Sequence, residues 1–282
     1  MEKAPSLFLS ERWTKLEENI LGLRTEIFKG HGCVAKITFT KSKLPMVPKA
    51  WMGGYWVSGT GIGLYCKDPS QSSSFYNKIK PRFGVIQGIS NCEIPGISGK
   101  VFTKIIDISQ SRTNLMASFT KKRRNGIRQG LKRGIKIKEI EDSREAVEII
   151  FEIKSKYAYW NRSREETEAV LDYCFRNDLM KLLVAYLDNE PVAEALFTLW
   201  NKRMTYSISG HKREYNWYKP MDALMWQSMM WGKRKGFKEL DIMGGYFEGQ
   251  AKSGINKFKS EFGGSLETRY FFREIRFGPL SF

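Results

Sequence analysis

Three β-rich apolar runs follow one another at short intervals: Leu182 to Leu187, Val192 to Trp200 and Met204 to Ser209. No other feature constrains the fold of this chain as strongly. Asp188-Asn-Glu-Pro191 separates the first two runs and Asn201-Lys-Arg203 the last two, and both links carry turn residues. Links this short join antiparallel neighbours, since a parallel return needs a crossover of about a dozen residues. The centre of the chain is therefore a three-stranded meander.

Around the meander the periodicity becomes helical. Asp142-Ser-Arg-Glu145 and Ser163-Arg-Glu-Glu166 resemble capping boxes, each ahead of apolar residues at helical spacing: Val147, Ile150 and Phe151, then Val170, Leu171, Cys174 and Phe175. Pro220 suits the first turn of a helix through Arg234 that Gly236 closes. Lys238 to Met243 reads as a strand, Ser253 to Glu261 as a short helix and Leu266 to Ile275 as a final strand. Two helices, three strands, helix, strand, helix and strand make an α+β layer with helices on a mixed sheet.

Upstream, Val34 to Phe39, Trp51 to Val57, Phe83 to Gln87 and Phe102 to Ile108 read as strands. Gly59-Thr-Gly-Ile-Gly63 lacks the Lys-Ser/Thr of a phosphate loop and reads as a turn. Composition changes at Asp107-Ile108-Ser109, which divides the chain into 1–110 and 111–282.

The second part opens with a helix in Leu115 to Lys138 that runs into a strand. Lys121 to Lys138 holds nine basic residues and no acidic one. Leu115, Phe119, Ile127 and Leu131 recur at multiples of four, which gives a buried stripe beside a cationic face. Glycine costs about 1 kcal/mol inside a helix, so Gly126 and Gly130 point to close approach by a neighbour, and Gly134 is a C-terminal stop. Uncompensated like charge favours a polyanionic partner, as does the chain's net charge of +17, which also admits contact with an anionic membrane surface.

Several classes of function are disfavoured. With only His31 and His211, a histidine-based triad or metal site lacks its residues, and no metal is expected. Cys33, Cys66, Cys92 and Cys174 form no CxxC pair, which predicts neither a zinc site nor a disulfide framework and suggests a reduced, cytoplasmic compartment. No apolar run reaches membrane-spanning length and no signal peptide is evident.

With these residues in place, the chain from Arg112 onward resembles the acyl-CoA N-acyltransferase (GNAT) superfamily, and within it the FemAB-like branch of aminoacyl-tRNA-dependent transferases. The basic helix, Tyr206-Ser-Ile-Ser-Gly210, Lys219-Pro220 with Trp226, Asp241 to Gly245, and Phe258-Lys259 with Phe262-Gly263 follow in the family's order. The resemblance implies two GNAT-like subdomains, each a mixed sheet flanked by helices: a degenerate first copy in 1–110 and a catalytic copy in 111–282.

The glycine-rich loop that holds the coenzyme A pyrophosphate in ordinary GNAT enzymes is missing. Gly210-His-Lys-Arg-Glu-Tyr-Asn-Trp-Tyr-Lys219 stands in its place with one glycine, as is typical of the FemAB-like branch. The implied reaction is transfer of an aminoacyl group from aminoacyl-tRNA, as co-substrate and without a further cofactor, to an amine of a peptide or nucleotide-linked acceptor. Two alternatives stay open: an acyl-CoA-dependent N-acyltransferase acting on an amino sugar or other small amine, and a non-catalytic RNA-binding protein on the same fold.

The resemblance also assigns roles. Lys259 would stabilise the negative charge of the reacting centre or of the donor's phosphate and Phe258 would set its direction; Asp241, at a strand end, could accept a proton from the amine, with the acceptor amine or the leaving ribose hydroxyl as the alternative carrier. Tyr206, Ser209 and Tyr246 would face substrate, and Glu194 could line the same cleft. Arg162 and Arg164 fall near the acceptor-binding arginine of the family, although Glu168 stands where a tyrosine is expected. By their charge, Lys121, Lys122, Arg123, Arg124, Arg128 and Lys132 would hold phosphates of a tRNA acceptor stem or of a nucleotide-diphosphate acceptor.

Overall fold

A computed structural model describes residues 4–40, 49–53, 61–80, 84–154, 162–243, 246–247 and 254–276. By internal contacts the chain forms two units, one of 1–103, 244–251 and 267–282, the other of 104–243 and 252–266. The composition break at 110 assigned the last strand to the second half. The structure returns most of it to the first unit through a ladder that no local signal encodes.

The first unit opens with α1 (Glu11–Lys15), followed by the hairpin β1 (Arg24–Gly30) and β2 (Cys33–Thr40). β3 (Lys49–Met52) runs antiparallel to β2, and the short β4 (Leu64–Cys66) also pairs with β2. α2 (Ser72–Ile79) then leads to β5 (Gly84–Ser90), which is parallel to β3. β6 (Ser98–Asp107) ends this stretch. β1 and α2 are absent from the sequence expectation. The serine-rich start of α2 resembles a loop, yet Phe75, Tyr76 and Ile79 are buried from it, in a core with Ile37, Met52, Leu64 and Ile86.

Gly63 is needed for close packing: a Cβ there would lie 2.2 Å from the Met52 carbonyl carbon, while its N–H donates to the Ile89 carbonyl and its own carbonyl accepts from the Lys36 N–H. The backbones are too close for any side chain. Gly59 and the strand expected through Val57 lie partly outside the described residues.

The cysteine expectation is corrected. Cys33 and Cys66 face each other across β2 and β4 and form a disulfide, while Cys92 and Cys174 are buried free thiols. The partners are 33 residues apart, and antiparallel pairing, invisible in linear spacing, brings them together. The cysteines therefore no longer argue for a reduced compartment.

The second unit contains the meander. α3 (Arg112–Ala117) and α4 (Lys121–Lys132) replace the single helix expected, since Thr120 caps α4 by accepting from the Arg123 N–H at 3.3 Å. β7 (Lys136–Ile140), α5 (Ser143–Lys154) and α6 (Arg164–Arg176) precede β8 (Met180–Leu187), β9 (Glu190–Trp200) and β10 (Arg203–His211). Both helical caps are present: Asp142 accepts from Glu145 N–H at 2.8 Å and Ser163 from Glu166 N–H at 3.0 Å.

α7 (Pro220–Arg234) carries the chain to β11 (Glu239–Asp241), which is parallel to β10 and antiparallel to the end of β6. β11 is shorter than the Lys238 to Met243 expected. β12 (Tyr246–Phe247) and α8 (Gly254–Ser260) follow. β13 (Ser265–Arg276) closes the chain by pairing with β5 in the first unit, Tyr270 opposite Ser90. Among the described residues, no helix is long and apolar enough to cross a membrane.

α4 lies on α7 at its two glycines. A Cβ on Gly130 would stand 2.8 Å from the Lys219 carbonyl oxygen, and one on Gly126 would stand 2.2 Å from Asp222 Oδ1. Gly130→Ala should therefore destabilise the protein by about 1–3 kcal/mol through overpacking, despite a propensity gain of about 1 kcal/mol. Thermal unfolding checks this, and a raised Tm would refute the close approach. Alkylation in denaturant without reductant should label Cys92 and Cys174 only, with Cys33 and Cys66 recovered as one linked peptide by mass spectrometry.

Candidate active site

Lys259 is in the last turn of α8, a helix of seven residues that is too short to be stable alone. Its Nζ donates to the Met243 carbonyl and lies 5.4 Å from the centre of the Tyr206 ring. Met243 follows the end of β11 with φ of 40°, a left-handed conformation unusual for methionine. Its N–H donates to Asp241 Oδ1 at 2.9 Å. β11 thus delivers a carboxylate that is 1% exposed together with a carbonyl that fixes the lysine. Burial pulls the Lys259 ammonium down to about 8, and the charge of Asp241 partly offsets the drop.

β10 supplies the other wall. Tyr206 pairs with Phe197 and Ile208 with Leu196, so Ser207 is an extra residue in the ladder. Strict alternation would put Tyr206 and Ser209 on opposite faces, but the bulge puts them on one, and the Tyr206 hydroxyl donates to Ser209 Oγ. Behind Ser209, its carbonyl accepts from Lys154 Nζ at 2.7 Å. Lys154 Nζ is also 3.1 Å from Glu194 Oε1, an ion pair outside hydrogen-bond geometry in which the side chains are 1% and 0% exposed. Burial raises the Glu194 carboxyl, against the pull of Lys154. Lys154 is not among the residues singled out by sequence. Its signal was a lysine at i+4 from Ile150 on an apolar helix stripe.

The basic helix divides into two roles. Lys121, Lys122, Arg128 and Lys132 are exposed as expected. Arg123 is a correction: it is 4% exposed, pairs with Asp222 and Glu261, and its guanidinium carbon lies 4.1 Å and 4.8 Å from the Phe258 and Phe262 ring centres. Its place on the buried side of α4 makes it a structural clamp. Burial opposes the effect, but Arg123 and Lys122 hold the Glu261 carboxyl below its ordinary value. Phe258 is thus held under Arg123, and it positions the next residue, Lys259. Arg124 donates to the Phe119 carbonyl and, at 3.4 Å, to that of Ala117 at the end of α3.

Beside the clamp, a cleft of about 630 Å³ lies between α4 and the start of α7, lined by Lys121, Lys122, Asn125, Gln129 and Lys219 with Arg123 and Asp222. Arg162 pairs with Glu166 at 3.0 Å, and Arg164 pairs with Glu148 and covers the Phe151 ring, so both are engaged in the α5–α6 layer. Glu168, at the expected tyrosine position, pairs with Arg144 at 3.1 Å. The backbone of Tyr246 pairs with Phe102, while its side chain and Gly244, Gly245 and Glu248 lie outside the described residues.

The Acetyltransferase (GNAT) domain family matches residues 120–259, the span from the cap of α4 to Lys259. No match was found among curated protein sequences. Among solved structures, FemX aligns with a TM-score of 0.69 at 14% identity, over 95% of this chain and 92% of that one. L-PGS from Bacillus licheniformis aligns with a TM-score of 0.58 at 14% identity, over 96% and 91%. A C-terminal domain from Agrobacterium fabrum, assigned as a lysylphosphatidylglycerol synthetase, aligns with 0.59 at 12% identity, over 92% and 85%. Residues 120–259 match the Acetyltransferase (GNAT) domain family, and the chain shares the α+β fold of FemX and L-PGS.

Proposed function

We propose that this protein transfers an aminoacyl group from aminoacyl-tRNA to an amine, and that Lys259 carries the charge-stabilising role. The observation that carries this proposal is the pairing of a half-buried lysine, lowered to about 8 by desolvation and set by Met243 and Asp241, with a basic cleft that adjoins it through Arg123 and Phe258. The segment from Gly210 to Lys219 has no glycine-rich pyrophosphate loop, and cationic side chains occupy the cleft above it. That balance favours a nucleic-acid donor over coenzyme A. An amine acceptor follows from the reaction class, and its identity is left at that level.

In this mechanism the acceptor amine attacks the ester carbonyl at the 3′ end of the tRNA. A C–N bond forms, the carbonyl becomes a tetrahedral oxyanion, and the C–O bond then breaks with the amine proton passing to the departing ribose oxygen. Lys259 has three N–H donors, one of them spent on Met243, and presents a desolvated positive charge to the oxyanion. Asp241 keeps that charge in place by its own.

Incubation with labelled aminoacyl-tRNA and amine acceptors tests the proposal, since transfer should be abolished by ribonuclease. Ribonuclease-resistant transfer, or coenzyme A binding by calorimetry, would overturn it. Lys259→Met should lower kcat about 10²–10³-fold, as loss of an oxyanion donor does elsewhere. The active lysine is charged below its pKa, so activity should fall as pH rises through about 8. Asp241→Asn removes the charge that offsets burial and should move this descending limb to lower pH, which a kcat–pH profile would show.

A further inference from the structure

Trp217 stands out among the large apolar side chains of the described residues: it is 69% exposed, on the short helical turn Arg213–Tyr218 that leads into Lys219. It is not loose. The Arg133 guanidinium carbon stacks 4.1 Å from its ring centre, and Arg133 also donates to the Trp217 carbonyl. One ring face is thus backed by a cation while most of the indole stays open to solvent.

The surroundings continue in one direction. Arg133, Gln129, Asn125 and Lys122 recur at three- and four-residue spacing along α4, and the last three line the cleft with Lys219. From Arg133 to Arg123 is about 15 Å at the helical rise of about 1.5 Å per residue, and at Arg123 the track meets Phe258, next to Lys259. An aromatic platform, a run of cations and amide side chains lead in sequence to the reacting lysine.

We infer that this track binds the unpaired 3′ end of an RNA, with one base stacked on Trp217 and the following phosphates running along Lys219 and Lys122. The inference rests on the aminoacyl-tRNA proposal and adds the surface that receives the strand. Base–aromatic stacking beside a cationic groove is how single strands are held without a folded RNA-binding module. An anionic membrane would also attract lysines and a tryptophan. A concave cleft with Asn125 and Gln129 in its wall suits a base and its phosphates better than a smooth lipid surface.

The test uses a fluorescent, uncharged RNA hairpin with a short single-stranded 3′ extension, the same hairpin with a blunt end, and vesicles of phosphatidylglycerol and phosphatidylcholine. Trp217→Ala should weaken binding of the extended hairpin by about fivefold or more and leave the blunt one unchanged, while Trp217→Phe should retain most of the affinity. An extended-to-blunt preference unaltered by Trp217→Ala would overturn the inference, as would wild-type protein that does not bind the extended hairpin. Loss of vesicle binding with RNA binding unchanged would assign the surface to a membrane instead. Because the RNA carries no amino acid, intact stacking with no aminoacyl transfer would refute the donor proposal alone. Conversely, RNA-dependent transfer with Trp217 idle would refute this surface alone.

Discussion

Arg123 is the contact on which the candidate site depends. Buried under α4, it pairs with Asp222 of α7 and with Glu261 just past α8, and its guanidinium lies over Phe258 and Phe262. Three helices distant in sequence meet at one side chain. Removing one partner from a buried ion pair typically costs about 3–5 kcal/mol, because the remaining charges stay desolvated. Without this anchor a seven-residue helix has little of its own to hold Lys259 in place. The edge-to-face rings of Phe119, Phe262 and Phe258, at 5.4 and 5.2 Å, complete the seat.

Partial burial then gives Lys259 its chemistry. A lysine in water carries a well-solvated charge that adds little to a reaction. Here desolvation lowers it to about 8, and Asp241 keeps the charged form accessible near neutral pH. In a low-dielectric setting such a charge acts more strongly on a developing anion than it would in solvent. The left-handed Met243 places the restraining carbonyl, and the bulge at Ser207 brings Tyr206 and Ser209 to one face. Lys154 and Glu194 lie beneath Ser209 as a dry ion pair. Their burial makes them a support of β10 rather than a surface that meets substrate.

Much of this was legible in sequence because it was local. The meander, both helical caps, Pro220 at the start of α7 and Phe258-Lys259 on a short helix all rest on signals within a few residues. Gly126 and Gly130 announced a close neighbour, although not that it would be α7. What escaped was non-local. The role of Arg123 depends on which side of α4 faces Asp222, and six basic residues on one helix do not reveal which one turns inward. Cys33 and Cys66 needed strand register. α2 was hidden by its serines, and β13 leaves its neighbours in sequence to pair with β5.

The amino-acid sequence by itself determined the order of the main elements from Asp142 onward, the α+β class and the residue types available for acyl transfer, since caps, turns and periodicity act over one or two helical turns. Tertiary structure alone decided which lysine is partly desolvated, which arginine is a clamp and which carboxylate's charge acts on the lysine. Those outcomes depend on desolvation and on contacts between residues as far apart as Arg123 and Glu261, and both arise only when helices and strands have packed. Phe258-Lys259 was a pair of letters in a lysine-rich tail until Arg123 held the phenylalanine and Met243 the lysine.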